Sequence, residues 1–79
     1  MKTVPANKVR ETLRRFKLKP KAQGNGTGHE TWADTLGRTC QPVLRHKDIA
    51  LAYLFSLSLE MEAKGICRRQ EFMAAVRGR

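Results

Sequence analysis

Three glycines fall within five residues, Gly24, Gly26 and Gly28, and His29 follows at once. Glycine is the residue of tight turns and of close backbone approach. A segment built this way turns the chain, and its flanks say what it joins. From Lys17 to Gln23 the sequence alternates, with Leu18, Pro20 and Ala22 set against Lys17, Lys19, Lys21 and Gln23. Strict alternation predicts a strand with one wet, basic face. Pro20 has no N–H for a ladder, which confines that strand to an edge. His29 to Ala33 predicts a second strand, with Thr31 and Trp32 supplying β propensity. Asp34 to Gly37 predicts the next turn. Thr39 to Leu44 predicts a third strand, against which Pro42 is a mild objection. The middle of the chain is therefore expected to be a three-stranded antiparallel meander.

Helical patterns flank it. Thr3-Val4-Pro5 predicts a helix start, with Thr3 able to cap and Pro5 tolerated in the first turn. Val9, Leu13 and Phe16 then recur on one helical face. Lys8, Arg10, Arg14, Arg15 and Lys17 occupy the others. Pro20 turns Lys19 away from helical angles, so this helix ends by Leu18. Asp48 is a credible N-cap for a second helix. From Tyr53 to Glu62 apolar and polar residues alternate, which taken alone predicts a strand. Three features decide for a helix. The segment from Ile49 to Lys64 is long, its Ala, Leu, Met and Glu are helix formers, and Lys64-Gly65 is a helix stop. Ala50, Leu54, Leu57 and Met61 form one apolar stripe; Ala52, Phe55, Leu59 and Ala63 form another. One stripe is expected on the sheet, and the other against the first helix or another chain. Phe72, Met73 and Val76 predict a short C-terminal helix. The expected architecture is α+β, one domain over residues 1–79: helix, three-stranded antiparallel sheet, helix, short C-terminal helix.

The chain has 79 residues and a net charge of +9. A chain of this length buries only about 60% of its unfolded surface, so a partner can matter to its stability. An apolar content of 41% suffices for a small core and is too high for a disordered chain. Residues 1–28 hold eight Lys or Arg and one Glu, a net of +7. Concentrated positive charge on a small domain is the footprint of a phosphate-backbone binder; a basic surface that pairs with an acidic protein is the alternative. The two cysteines, Cys40 and Cys67, are too few for a disulfide scaffold and fit no metal spacing. No His, Cys, Asp and Glu grouping has metal-ligand spacing, and no cofactor is expected. The basic N-terminus leads into no apolar signal region. The longest apolar run, Ile49 to Phe55, falls short of the ~20 residues that span a bilayer. A soluble, cytoplasmic protein is expected.

Helix, three strands, helix is the layout of a double-stranded-RNA-binding domain. The chain resembles the HicA mRNA-interferase toxins of bacterial toxin–antitoxin systems from about Val9 to Phe72. Four features in order carry the resemblance. A short amphipathic helix ends in Phe16. A glycine turn leads to Gly28-His29-Glu30-Thr31-Trp32. A third strand ends in Pro42-Val43-Leu44-Arg45-His46. A helix runs into Gly65-Ile66, with Glu71-Phe72 beyond. The family usually has Gly-Ser-His where this chain has Thr27-Gly28-His29, and a shorter turn before it. It also often shows Gly-Phe after the first helix, where this chain has Phe16-Lys17-Leu18. The resemblance implies a metal-independent ribonuclease that cleaves mRNA, arrests growth and is neutralised by a HicB-type antitoxin. It also implies that His29 is the catalytic histidine.

RNA carries its own nucleophile, the 2′-OH. A ribonuclease without a metal must take that proton, steady the phosphate charge and protonate the leaving 5′ oxygen. One positioned acid or base contributes ~10²–10⁴-fold, and fixed cations or N–H groups at the phosphate contribute comparably. His29 is the candidate acid or base, since imidazole exchanges protons near neutral pH. Gly26 and Gly28 would let the RNA backbone approach, and Lys19, Lys21 and Arg45 are candidate phosphate contacts. His46 either pairs with His29 in acid–base chemistry or caps the next helix or binds backbone. Trp32 either stacks a base or packs as a sheet aromatic. Glu30 and Glu60 are possible acids or bases that no sequence feature ties to a phosphate. Two other functions remain open: a non-catalytic RNA- or DNA-binding module, and a structural subunit that docks an acidic partner.

Overall fold

The computed structural model describes residues 2–21 and 30–78. In chain order these form β1 (Thr3–Pro5), α1 (Ala6–Arg15), β2 (Lys19–Pro20), β3 (Trp32–Ala33) and β4 (Thr39–Cys40), then β5 (Asp48–Ala50), α2 (Leu51–Ala63) and α3 (Arg69–Val76). The fold is α+β, with antiparallel pairing throughout the described strands.

The expected meander is present as β2-β3-β4, with β2 at an edge where Pro20 belongs. Its strands are short. Lys17 belongs to the end of α1 rather than to β2. The third strand stops at Cys40, because Pro42 offers no N–H to continue a ladder. Asp34 turns β3 into β4: its Oδ1 accepts the N–H groups of Leu36 and Arg38, and Gly37 takes φ +82°. The turn Gly24 to Gly28, with Ala22 and Gln23 of the first predicted strand, lies outside the described residues.

A second sheet corrects two expectations. Thr3-Val4-Pro5 starts no helix; it is a strand, paired with β5 so that Val4 faces Ile49 and Pro5 faces Asp48. Asp48 therefore caps nothing, and α2 begins only at Leu51. Both β-branched residues of the Val4–Ile49 pair are buried, while their neighbours Thr3, Pro5 and Asp48 are exposed. This is the period-2 pattern of a ribbon lying on a core. Ala6 donates to the Lys47 carbonyl at 2.9 Å and Leu51 to the Lys2 carbonyl at 3.1 Å. Each helix thus leaves its strand directly, and the antiparallel ribbon sends α1 and α2 off from opposite ends.

One core joins these elements. Val9 and Leu13 of α1, Leu18, Trp32, Leu44, Leu54, Met61 and Phe72 are buried together, each large aliphatic or aromatic side chain contributing about 1.5–3 kcal/mol. Phe16 meets Phe72 of α3 with ring centroids 6.2 Å apart. On α2 the Leu54, Leu57 and Met61 stripe is buried, and α2 packs chiefly on α3. The second stripe is largely exposed, with Phe55 at 48% and Leu59 at 38%. Its neighbour is not the first helix: Phe55 borders a groove with Met73 and Ala74 of α3. Among the described residues no helix is long and apolar enough to cross a membrane.

Candidate nucleic-acid interface

The face of α1 beside the meander carries Asn7, Arg10 and Arg14, spaced three and four residues apart and so in one row. Arg10 is anchored at three points. Its guanidinium donates to the Glu30 carboxylate, closest at 2.6 Å, to Asn7 Oδ1 at 2.9 Å and to the Leu44 carbonyl at 3.3 Å. Glu30 in turn accepts the Trp32 indole N–H at 3.0 Å. Residues 30 and 32 lie two apart on an extended chain, hence on one side of it. The Glu30 backbone N–H donates to the Pro42 carbonyl at 3.0 Å.

This arrangement decides the role of Glu30. The Arg10 guanidinium holds its carboxyl below the usual carboxylate range; burial opposes that and the Trp32 N–H reinforces it. The same contact raises Arg10 above the ordinary arginine value. An ionised carboxylate whose oxygens are committed to two donors is a clamp between α1 and the meander, and a poor proton donor at neutral pH. Trp32 is 1% exposed and packs in the core, so its face is closed to base stacking. The Arg14 guanidinium covers the ring at 5.2 Å from its centroid.

Two cationic clefts lie at the ends of this row. One, of about 690 Å³, is lined by Arg14, Lys17, Leu18, Lys19, Pro20 and Thr35. The other, of about 390 Å³, is lined by Arg10, Arg45, His46 and Lys47, with Asn7 and Leu44 between them. Among the described residues neither wall includes a carboxylate. Lys19 thus joins Arg14 and Lys17, and Arg45 and His46 join Arg10. Lys21 is exposed just past β2, its N–H bonded to the Thr31 carbonyl at 2.8 Å. His46 is exposed in the loop before β5, and it does not cap α2, whose N-cap is Ala50 with no side-chain cap bond. Gly26, Gly28 and His29 lie outside the described residues. Glu60 forms an i,i+4 ion pair with Lys64 on α2.

From the sequence Arg10, Arg14 and Lys17 are generally cationic positions beside the apolar face of α1, with no site assigned to them. The signal for Arg10 and Arg14 was present: an i,i+4 pair bordering the apolar face of Val9 and Leu13. The remaining chemistry is quiet. Both cysteines are free, and burial pushes their thiols up to about 11. Among the described residues no three His, Cys, Asp or Glu side chains gather as a metal site requires.

Comparison of the chain with models of protein families, with curated proteins and with solved structures finds no match.

Proposed function

We propose that this chain is the toxin of a type II toxin–antitoxin pair: a metal-independent endoribonuclease of double-stranded-RNA-binding-domain-like fold. In this reading it cleaves mRNA with His29 as general acid or base and is neutralised by a HicB-type antitoxin. The observation that carries it is the row of cations on α1, which ends in two carboxylate-free clefts on either side of the Glu30 clamp. Glu30 is the residue that follows His29. A strand of phosphates running along such a row would meet Lys17 and Lys19 at one end and Arg45 and His46 at the other. Preorganised cations of this kind stabilise charge that develops on a phosphate. The antiparallel meander between α1 and α2 supports the α+β part of this reading, the β1–β5 ribbon being an addition to the expected layout, and the four ordered sequence features supply the link to the toxin family.

The test is induction of the wild-type chain beside His29→Ala, with growth and RNA integrity read together. Growth arrest with fragmented mRNA in the wild type, and neither in the variant at equal expression, is the expected result. A fully toxic His29→Ala protein would overturn the mechanism. The same cationic clefts also suit a non-catalytic RNA- or DNA-binding module. That reading predicts salt-dependent binding with RNA left intact after long incubation.

A further inference from the structure

Helix α1 ends in a motif that normally calls for glycine. Lys17 donates its N–H to the Arg14 carbonyl at 3.0 Å and Leu18 to the Leu13 carbonyl at 3.1 Å. Leu13 and Leu18 are both buried, which completes a Schellman termination with its apolar contact. The residue at its left-handed position is Lys17, with φ +69°. A Cβ there crowds the following carbonyl, so glycine is the unstrained choice. The same chain makes that choice elsewhere. Gly65 follows α2 with φ +78°, and Gly78 follows α3 with φ +88°. Gly65 and Ile66 even repeat the bond pair, donating to Glu62 and Met61 at 3.0 and 2.9 Å. Among the described residues Lys17 is the one non-glycine with positive φ. Backbone geometry therefore does not explain a lysine at this position.

Its surroundings do. The Lys17 side chain is exposed and lines the cleft of about 690 Å³ with Arg14 and Lys19. Arg14 is held there by the Trp32 ring, and Lys19 by the pairing of β2 with Ala33 of β3. Leu18 and Pro20 form an apolar floor. Three like charges on one wall repel each other, and a bound anion relieves that repulsion. We propose that Lys17 is retained in its left-handed conformation for its charge, and that with Arg14 and Lys19 it forms a subsite for one phosphodiester of a single-stranded nucleic acid. The inference deepens the nucleic-acid reading above and rests on it.

The experiment compares wild type, Lys17→Gly, Lys17→Arg and Lys8→Gln. Each is titrated with a short 2′-O-methyl RNA, which lacks the attacking hydroxyl, and with DNA of the same sequence, over a range of salt. Thermal melting is followed in parallel. Lys17→Gly should melt higher than wild type, because strain is removed. It should also bind both strands roughly three- to tenfold more weakly, with a log–log salt slope shallower by about 0.7, as expected for one lost phosphate contact on a single strand. Lys17→Arg should bind like wild type. Lys8, on the far side of the buried face of α1, should matter less. A Lys17→Gly protein that melts lower would make Lys17 structural and overturn the proposal. So would undiminished binding, or a loss no larger than that of Lys8→Gln. A loss on RNA alone would overturn the phosphodiester assignment in favour of a ribose contact. Failure of the wild type to bind either strand would instead bring down the nucleic-acid reading itself.

Discussion

Arg10 grips the Glu30 carboxylate at 2.6 Å, tying α1 to the segment that leads into β3 across 20 residues of sequence. The pair is partly exposed, with side-chain accessibilities of 28% and 30%, so solvent weakens it. The Trp32 indole N–H raises the stakes, since it belongs to a buried ring and depends on the same carboxylate. Glu30→Gln is expected to destabilise the fold by about 1–2 kcal/mol in urea unfolding, through a weakened charge-assisted bond. Glu30→Ala should cost more, because it orphans the indole N–H. The pH dependence has a definite sign. The folded carboxyl lies below its unfolded value of about 4.3, so its contribution is fully present above that pH. It disappears as the pH falls through the folded value. The acid limb of the stability profile should accordingly be shallower in Glu30→Gln than in wild type.

The thiols predict an alkaline limb of opposite origin. Burial raises Cys40 and Cys67 to about 11 in the folded state, against about 8.5 for a free thiol. The stabilisation is complete below the unfolded value and is lost as the pH rises toward the folded one. Stability should decline above about pH 8.5, and less steeply in Cys67→Ser. At pH 8 the folded thiols should react with iodoacetamide much more slowly than in urea, because burial disfavours the thiolate that attacks. Equal rates would show that neither thiol is shielded.

The Val4–Ile49 pair marks where local pattern misled. Thr-Val-Pro ahead of an amphipathic helix offers a residue able to cap and a proline tolerated in the first turn, which suggests a helix start. What overrides it is a partner strand 45 residues on, Asp48–Ala50, whose three residues are too few to show a period of their own. Long-range pairing of such short strands leaves almost no local trace. Ile49→Ala should cost about 2–5 kcal/mol and Val4→Ala about 1–3 kcal/mol. Because the two side chains are directly opposed, a double-mutant cycle should give a coupling of about 0.5 kcal/mol or more. Strict additivity would mean that the ribbon does not form in solution.

The candidate site divides in the same way. Lys19, Arg45 and His46 were legible as polar, basic residues near turns, because proline and glycine punctuate those segments. Their grouping into two clefts was not, since it depends on which face of α1 meets the meander. That face is set by Arg10 and Glu30, residues that each look like ordinary surface charge in isolation. The left-handed Lys17 was hidden for a related reason: nothing in Phe16-Lys17-Leu18 signals positive φ, and only the bonds back to Leu13 and Arg14 reveal it. His29 stands on the ordered resemblance and on its place in sequence beside Glu30.

Helix α2 offers the sharpest contrast between pattern and packing. Both of its apolar stripes were visible from spacing, but spacing is silent on which one faces inward. Leu57 is 4% exposed and Leu54 fully buried, whereas Phe55 and Leu59 are 48% and 38% exposed. Polar residues do not separate the stripes cleanly either: Ser58 is buried and bonds the Phe55 carbonyl at 2.6 Å, satisfying its hydroxyl within the helix. Leu54→Ala and Leu57→Ala should each lose about 2–5 kcal/mol, because a cavity is left in the core. Leu59→Gln and Phe55→Gln, both at exposed positions, should stay within about 0.5 kcal/mol of wild type. Urea unfolding of the four variants decides the matter. If Phe55→Gln proves as damaging as Leu54→Ala, the outer stripe is covered in solution by a second copy of the chain, and its cost will then vary with protein concentration.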